Sequence, residues 1–171
     1  MITKIYTDGS ALNNADKKKR RCGCGTYICT YDTKKDIYTP IMLKGEYLED
    51  NTNNYGELYA VYNAFKWLIK SQELKKLLPL NVEMFIDSKY VIGALDKKNK
   101  ATKNKELIEL LREQQKEISK IGYVIKYAHV KAHTNKKDED SKNNDKVDKL
   151  AKECAESGKN KYKNFTTDDK N

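Results

Sequence analysis

The stretch VEMFID, residues 82–87, limits the possible folds more than any other part of the chain. It is short, apolar through Val82, Met84, Phe85 and Ile86, and it ends on an acid, Asp87. Helical spacing stands on both sides. Leu58, Val61, Phe65 and Leu68 predict an amphipathic helix over 55–74, with Asn53 and Asn54 where an N-cap belongs and Pro79 closing the connection. Ser88 then opens a short helix with Val91, Ala94 and Leu95 on one face. A strand fenced by helices reaches its sheet by crossovers and pairs in parallel.

The start of the chain has a different grammar. Residues 2–7 (ITKIYT) and 26–31 (TYICTY) are β-branched and aromatic, and a third strand is expected within 36–48, where Pro40 suggests an edge or a bulge. Three leading strands suggest an antiparallel meander. Beyond the cationic connection 95–105, the pattern predicts a helix over 105–119, a strand over 123–130, a charged loop over 134–144 and a helix over 145–157. The expected fold is α/β: a mixed five-stranded sheet, three antiparallel strands then two parallel, flanked by helices. One domain over 1–157 and a disordered tail over 158–171 complete the expectation.

With 171 residues the chain can bury one real core, and a net charge of +9 favours an anionic partner such as nucleic acid. The apolar runs are too short to span a bilayer, and MITKIYTDG lacks the apolar segment of a signal peptide, so an intracellular protein, cytoplasmic or nuclear and without a membrane partner, is expected. Four cysteines, three of them within eight residues, make no disulfide framework. A zinc site from Cys22, Cys24, His129 and His133 is disfavoured by the one-residue spacing of the first pair.

Asp8, in the context Thr-Asp-Gly-Ser, and Asp87 both end apolar strands. If those strands are parallel neighbours, their carboxylates emerge at one edge of the sheet, where open α/β sheets place their sites. Glu57 lies in the first turn of the long helix and Asp148 in the last helix, one turn after Asp145. Four converging carboxylates repel one another unless they hold protons or cations. All-oxygen donors with few histidines point to magnesium or manganese.

TDGS at 7–10, TNN-x-x-EL at 52–58, IDSKYV at 86–91, VKAH at 130–133 and N-D-x-x-D-x-LA at 144–151 resemble type 1 ribonuclease H, in that family's order and over about residues 2–157. The resemblance implies a ribonuclease H-like fold and hydrolysis of the RNA strand of RNA–DNA hybrids, leaving 5′-phosphate and 3′-hydroxyl ends. It implies two Mg²⁺ ions, replaceable by Mn²⁺, held by Asp8, Glu57, Asp87 and Asp148, and it matches His133 to a mobile histidine that assists turnover. Asp145 is the rival for the fourth ligand, but only Asp148 aligns with the D-x-LA ending. His129 lies within a strand and is expected to be structural. A monomer is expected.

The resemblance also places Asn14, Asn53 and Asn54 in the minor groove of the hybrid, and the backbone around Gly9, Ser10 and Glu57 against its RNA strand. Thr52 and Asn104 match a pocket for a DNA phosphate. The cluster Lys17, Lys18, Lys19, Arg20 and Arg21 stands where some eukaryotic members carry a basic insertion, so it is a candidate contact to the hybrid backbone, with nuclear targeting or a plain solvated loop as the alternatives. The sequence departs from the family pattern in four ways: it lacks the Trp-rich basic protrusion, it has Asp50 where some members have a cation, its loop after His133 is long and acidic, and the usual Gly-Asn-Pro-Gly after the first acid is missing. Two rival functions stay open: a nuclease of the same superfamily acting mainly on duplex RNA or junctions, and a non-catalytic hybrid-binding module. The full acid set argues against the second.

Overall fold

A computed structural model describes residues 1–74, 78–130 and 138–165. Ten elements follow in order: β1 (Ile2–Leu12), β2 (Arg21–Asp32), β3 (Ile37–Tyr47), α1 (Asn53–Glu73), β4 (Asn81–Ile86), α2 (Lys89–Leu95), α3 (Lys105–Ile121), β5 (Val124–His129), α4 (Glu139–Ser157) and β6 (Lys161–Asn164). They build one mixed sheet in the order β5-β4-β1-β2-β3-β6. The β1–β2 and β2–β3 pairs are antiparallel, and β4 is parallel to both β1 and β5, as the strand grammar predicts.

Alternation along β1 sorts its side chains into two cores. Ile5 joins Leu58, Phe65, Leu68, Met84, Leu111 and Ile118 beneath α1 and α3. Tyr6 points to the opposite face and packs with Tyr27, Cys29 and Val147 under α4. The amphipathic face of α1 is therefore the main clamp on one side of the sheet, and α4 is the clamp on the other.

Several boundaries differ from the sequence reading. The sheet has six strands rather than five, because Lys161–Asn164, expected in a disordered tail, pairs antiparallel with Met42–Gly45 of β3. That pairing uses backbone groups, so the polar side chains of KYKN gave no warning of it. Pro40 sits beside a register shift at Ile28/Cys29, the bulge its ring invites. β1 runs on to Leu12 because β2 continues to pair with it as far as Leu12↔Arg21. Asp8 is thus in mid-strand, although it stands just beyond the last parallel pair, Thr7↔Ile86.

Helix ends shift too. Thr52, not Asn53 or Asn54, caps α1, its hydroxyl accepting from the Tyr55 N–H at 3.2 Å. α4 begins at Glu139, inside the expected charged loop, with the Asp138 carboxylate accepting from the Ser141 N–H at 2.8 Å. Asp140 faces the sheet and accepts from Lys4 Nζ at 2.9 Å and from the Tyr6 hydroxyl. These acids hold α4 in place and are committed to the fold.

Candidate active site

Glycine permits the approach that builds the site. A Cβ on Gly9 would lie 2.2 Å from the Glu57 backbone nitrogen, so only glycine beside Asp8 lets the first turn of α1 rest on β1. The opposite face uses the same device: a Cβ on Gly25 would lie 2.6 Å from the Val147 carbonyl oxygen, and Gly25 is the strand partner of Asp8. Two helices thereby reach the sheet at one point.

Asp8, Glu57 and Asp87 meet there, each offering an oxygen within 4.8 Å of the others. Asp8 is 3% exposed and Glu57 6% exposed. The Asp8 carboxylate accepts from the Gly9 N–H at 2.8 Å. Burial first, then the Asp87 charge, pushes the Asp8 carboxyl up to about 8. Burial also drives Glu57 well above the ordinary carboxylate range, with the Asp8 and Asp87 charges adding to it. Glu57 Oε2 is buried without a hydrogen-bond donor. A protein interior rarely leaves a carboxylate oxygen in that condition, and a hard dication bound to it would satisfy the group.

Asp148 stands on α4 close enough for its charge to raise the Asp8 carboxyl. Its Oδ2 accepts from Lys152 Nζ at 2.8 Å across one helical turn. Asp145 is exposed. His133 lies outside the described residues. His129 ends β5, and its Nε2–H donates to the Asp87 carbonyl at 2.9 Å, bracing the strand end that carries the third acid. Among the described residues, the three acids are the one group of histidine, cysteine and carboxylate side chains able to share an ion. The four cysteines are buried and free, and burial pushes the Cys22 thiol up to about 12.

The proposed nucleic-acid contacts separate into groups. Asn14 Oδ1 accepts from the Asn53 N–H at 2.8 Å, and Asn53 Oδ1 accepts from the Ala11 N–H at 2.9 Å. These two amides join the β1–β2 turn to the start of α1 beside the acids, and Asn54 is exposed next to them. Gly9 is buried under α1, with Ser10 half-buried after it. The Asn104 amide donates to the Tyr90 hydroxyl at 3.2 Å. Lys17, Lys18 and Lys19 are exposed. The two arginines are not free in the same way. Arg20 donates to the Asp50 carbonyl, and Arg21 donates to the Ala155 carbonyl at 2.8 Å while lying over the Tyr47 ring. Both hold the fold together at that end of the sheet.

The sequence reading missed a groove. Tyr55, Tyr59 and Tyr62 repeat on one face of α1, with successive ring centroids 5.9 Å and 5.2 Å apart. They form one wall of a cleft of about 610 Å³ whose other wall, at the start of α3, includes Asn104 and Lys105. Their spacing of i, i+4 and i+7 is the sequence signal for this face, which lies beside the apolar one marked by Leu58, Val61, Phe65 and Leu68.

A sheet of this order, flanked by helices on both faces and with carboxylates gathered where its parallel strands meet α1, places the chain in the ribonuclease H-like fold class. The RNase H family model matches residues 2–156, and the chain belongs to that family of ribonucleases. A ribonuclease H of Clostridium botulinum is 32% identical over 165 residues, covering 88% of this chain and 93% of the relative. Two solved structures share the fold. LC9-RNase H1, a type 1 RNase H with the type 2 active-site motif, matches with a TM-score of 0.69 at 16% identity, over 96% of this chain and 78% of that one. LC11-RNase H1 in complex with RNA/DNA hybrid matches with a TM-score of 0.67 at 22% identity, over 91% of this chain and 98% of that one. Among the described residues, no helix is long and apolar enough to cross a membrane.

Proposed function

We propose that this chain cuts the RNA strand of RNA–DNA hybrids with two Mg²⁺ ions, which Mn²⁺ can replace, held by Asp8, Glu57, Asp87 and Asp148. One observation carries the reading: three carboxylates meet in an enclosed setting, and one of them keeps a buried oxygen, Glu57 Oε2, without a donor. The family match and the hybrid bound by LC11-RNase H1 support the substrate class.

When bound, the ions would lower the pKa of the attacking water and neutralise charge on the phosphodiester. Water adds to phosphorus as the P–O3′ bond breaks, so one fragment keeps a 3′-hydroxyl and the other a 5′-phosphate. The chain's own residues supply position. Asp8 and Glu57 are fixed by the Gly9 contact, and His129 steadies the Asp87 backbone. Asp148 would join by exchanging Lys152 for a dication; its charge already reaches the Asp8 carboxyl while Asp145 is exposed, which favours Asp148 as the fourth ligand. The resemblance gives His133 the task of helping the product leave.

Substrate grip is shared. The Asn14–Asn53 pair and Asn54 line the approach to the acids, where short amides can meet sugars and base edges. Asn104 lines the tyrosine groove and Thr52 caps α1 one turn before Tyr55, and the resemblance pairs the two on a phosphate of the DNA strand. Lys17, Lys18 and Lys19 extend the positive field beyond the site. The protein acts as a monomer on this reading.

The test is cleavage of end-labelled hybrid, duplex RNA and single-stranded RNA, with magnesium and with chelator. Hybrid should be cut only with the ion, and Asp8→Asn should lower the rate on the order of 10³-fold or more while hybrid binding persists. Wild-type cutting by Asp8→Asn would refute the site. Equal cutting of duplex RNA would move the substrate assignment.

A further inference from the structure

A second cavity, away from the acids, lies between the later half of α1 and the β3–β6 edge. Its volume is about 350 Å³, at the lower end of the roughly 300–1,000 Å³ typical of small-molecule sites. Lys44 from β3 and Lys66 and Lys70 from α1 bring three ammonium groups to its wall, and Trp67 and Tyr162 bring two aromatic surfaces.

The charges on that wall are unevenly matched. Glu46 lies 3.6 Å from Lys44. It also accepts from the amide of Asn63, a residue only 2% exposed, at 2.8 Å. Among the described residues, no carboxylate pairs with Lys66 or Lys70. A lysine in the last turn of a helix is favoured by the helix dipole, which accounts for Lys70 alone. Lys66 is half-buried over the Tyr62 ring at 4.3 Å. Burial lowers its pKa and the neighbouring Lys44 charge lowers it further, while the Glu46 charge offsets part of the shift. Three ammonium groups against one carboxylate leave a surplus of positive charge, which calls for an anion, and two aromatic walls call for a flat ring.

We propose that this cavity binds a nucleoside 5′-phosphate, its base against Trp67 and Tyr162 and its phosphate between Lys66 and Lys70, either free or as the terminal residue of a strand. Trp67 lies ten residues beyond Glu57, roughly 15 Å along the helix at 1.5 Å per residue. The site is therefore separate from the hydrolytic one. β6 completes it, since Tyr162 comes from that strand.

Trp67 is the only tryptophan of the chain, so its fluorescence reports on this cavity. The full chain, in chelator to keep the acid site out of play, is titrated with adenosine 5′-monophosphate, adenosine, inorganic phosphate, and a DNA 12-mer with or without a 5′-phosphate. Saturable quenching by the monophosphate is expected, with affinity at least tenfold above that of adenosine or phosphate alone. K66Q/K70Q should weaken it at least tenfold, K66R/K70R should retain it, and hybrid cleavage should be unchanged in both. Tighter binding of the 5′-phosphorylated 12-mer than of the monophosphate would make a strand end the source, and the reverse order would make it the free nucleotide. Absence of saturable quenching by either, equal affinity for inorganic phosphate, or unchanged affinity in K66Q/K70Q would overturn the proposal.

Discussion

Glu57 and Asp148 both approach the site from helices, and the two helices are secured differently. α1 is locked against β1 through Gly9, and the Glu57 residue it carries is buried. α4 leans on β2 over Gly25, but the Asp148 side chain keeps 22% of its surface open and is tied to Lys152. One acid is set in place by the fold. The other is paired with a cation on its own helix, which it would have to leave to serve as the proposed ligand. Preorganised ligands raise affinity because little is left to order on binding, whereas a ligand that must exchange partners can follow the arrival and departure of an ion.

That contrast can be broken by substitution. Glu57→Gln should abolish hybrid cleavage, on the order of 10³-fold or more, at any magnesium concentration. Asp148→Asn should cost less, and raising the magnesium concentration should restore part of the loss. Equal, unrescued losses measured by initial rates would erase the distinction.

Gly9→Ala comes next. Its new Cβ would press on the Glu57 backbone, and overpacking of this kind destabilises by about 1–3 kcal/mol. Thermal melting should fall together with activity, because α1 must move. Lys152→Gln should have a smaller effect, no more than about tenfold on the magnesium concentration for half-maximal rate, and in the direction of tighter binding, because the competitor for Asp148 is gone. A looser requirement would mean that Lys152 positions the acid for the ion.

The smallest signal is the pH dependence of the magnesium effect on stability. Asp8 is raised to about 8, above the ordinary value of about 3.9. Between those values the folded chain without divalent ions keeps a proton that the unfolded chain has lost. Its stability therefore falls as pH rises through that window. A dication removes the repulsion, so the gain in melting temperature on adding magnesium should grow from roughly pH 5 to pH 8. A gain that shrinks would contradict the raised carboxyls.

The parts legible in the sequence were those written in side-chain pattern. Alternation in β1 and β2, the helical period of α1 and the acid ending VEMFID determined the meander, the crossovers and three acids at one place. Backbone-driven features were hidden. β6 pairs through main-chain groups on β3, so KYKN looked like a tail. The start of α4 was hidden by its own charges, since Asp138 acts as a cap and Asp140 turns inward to Lys4. Gly25 drew no notice because its role depends on Val147, more than a hundred residues away. Arg20 and Arg21 looked like part of a cationic loop, and only their carbonyl partners show them bracing the fold.

β6 also shields the sheet from its own kind. It covers the Met42–Gly45 backbone of β3, which would otherwise present unpaired N–H and C=O groups along an edge. A chain cut after Gly158 would leave that edge open to strands of other copies, and its solubility would decline with concentration even if its cluster of acids were untouched. The last described residues thus act as a guard against self-association, a service to the fold that no acid at the centre can perform.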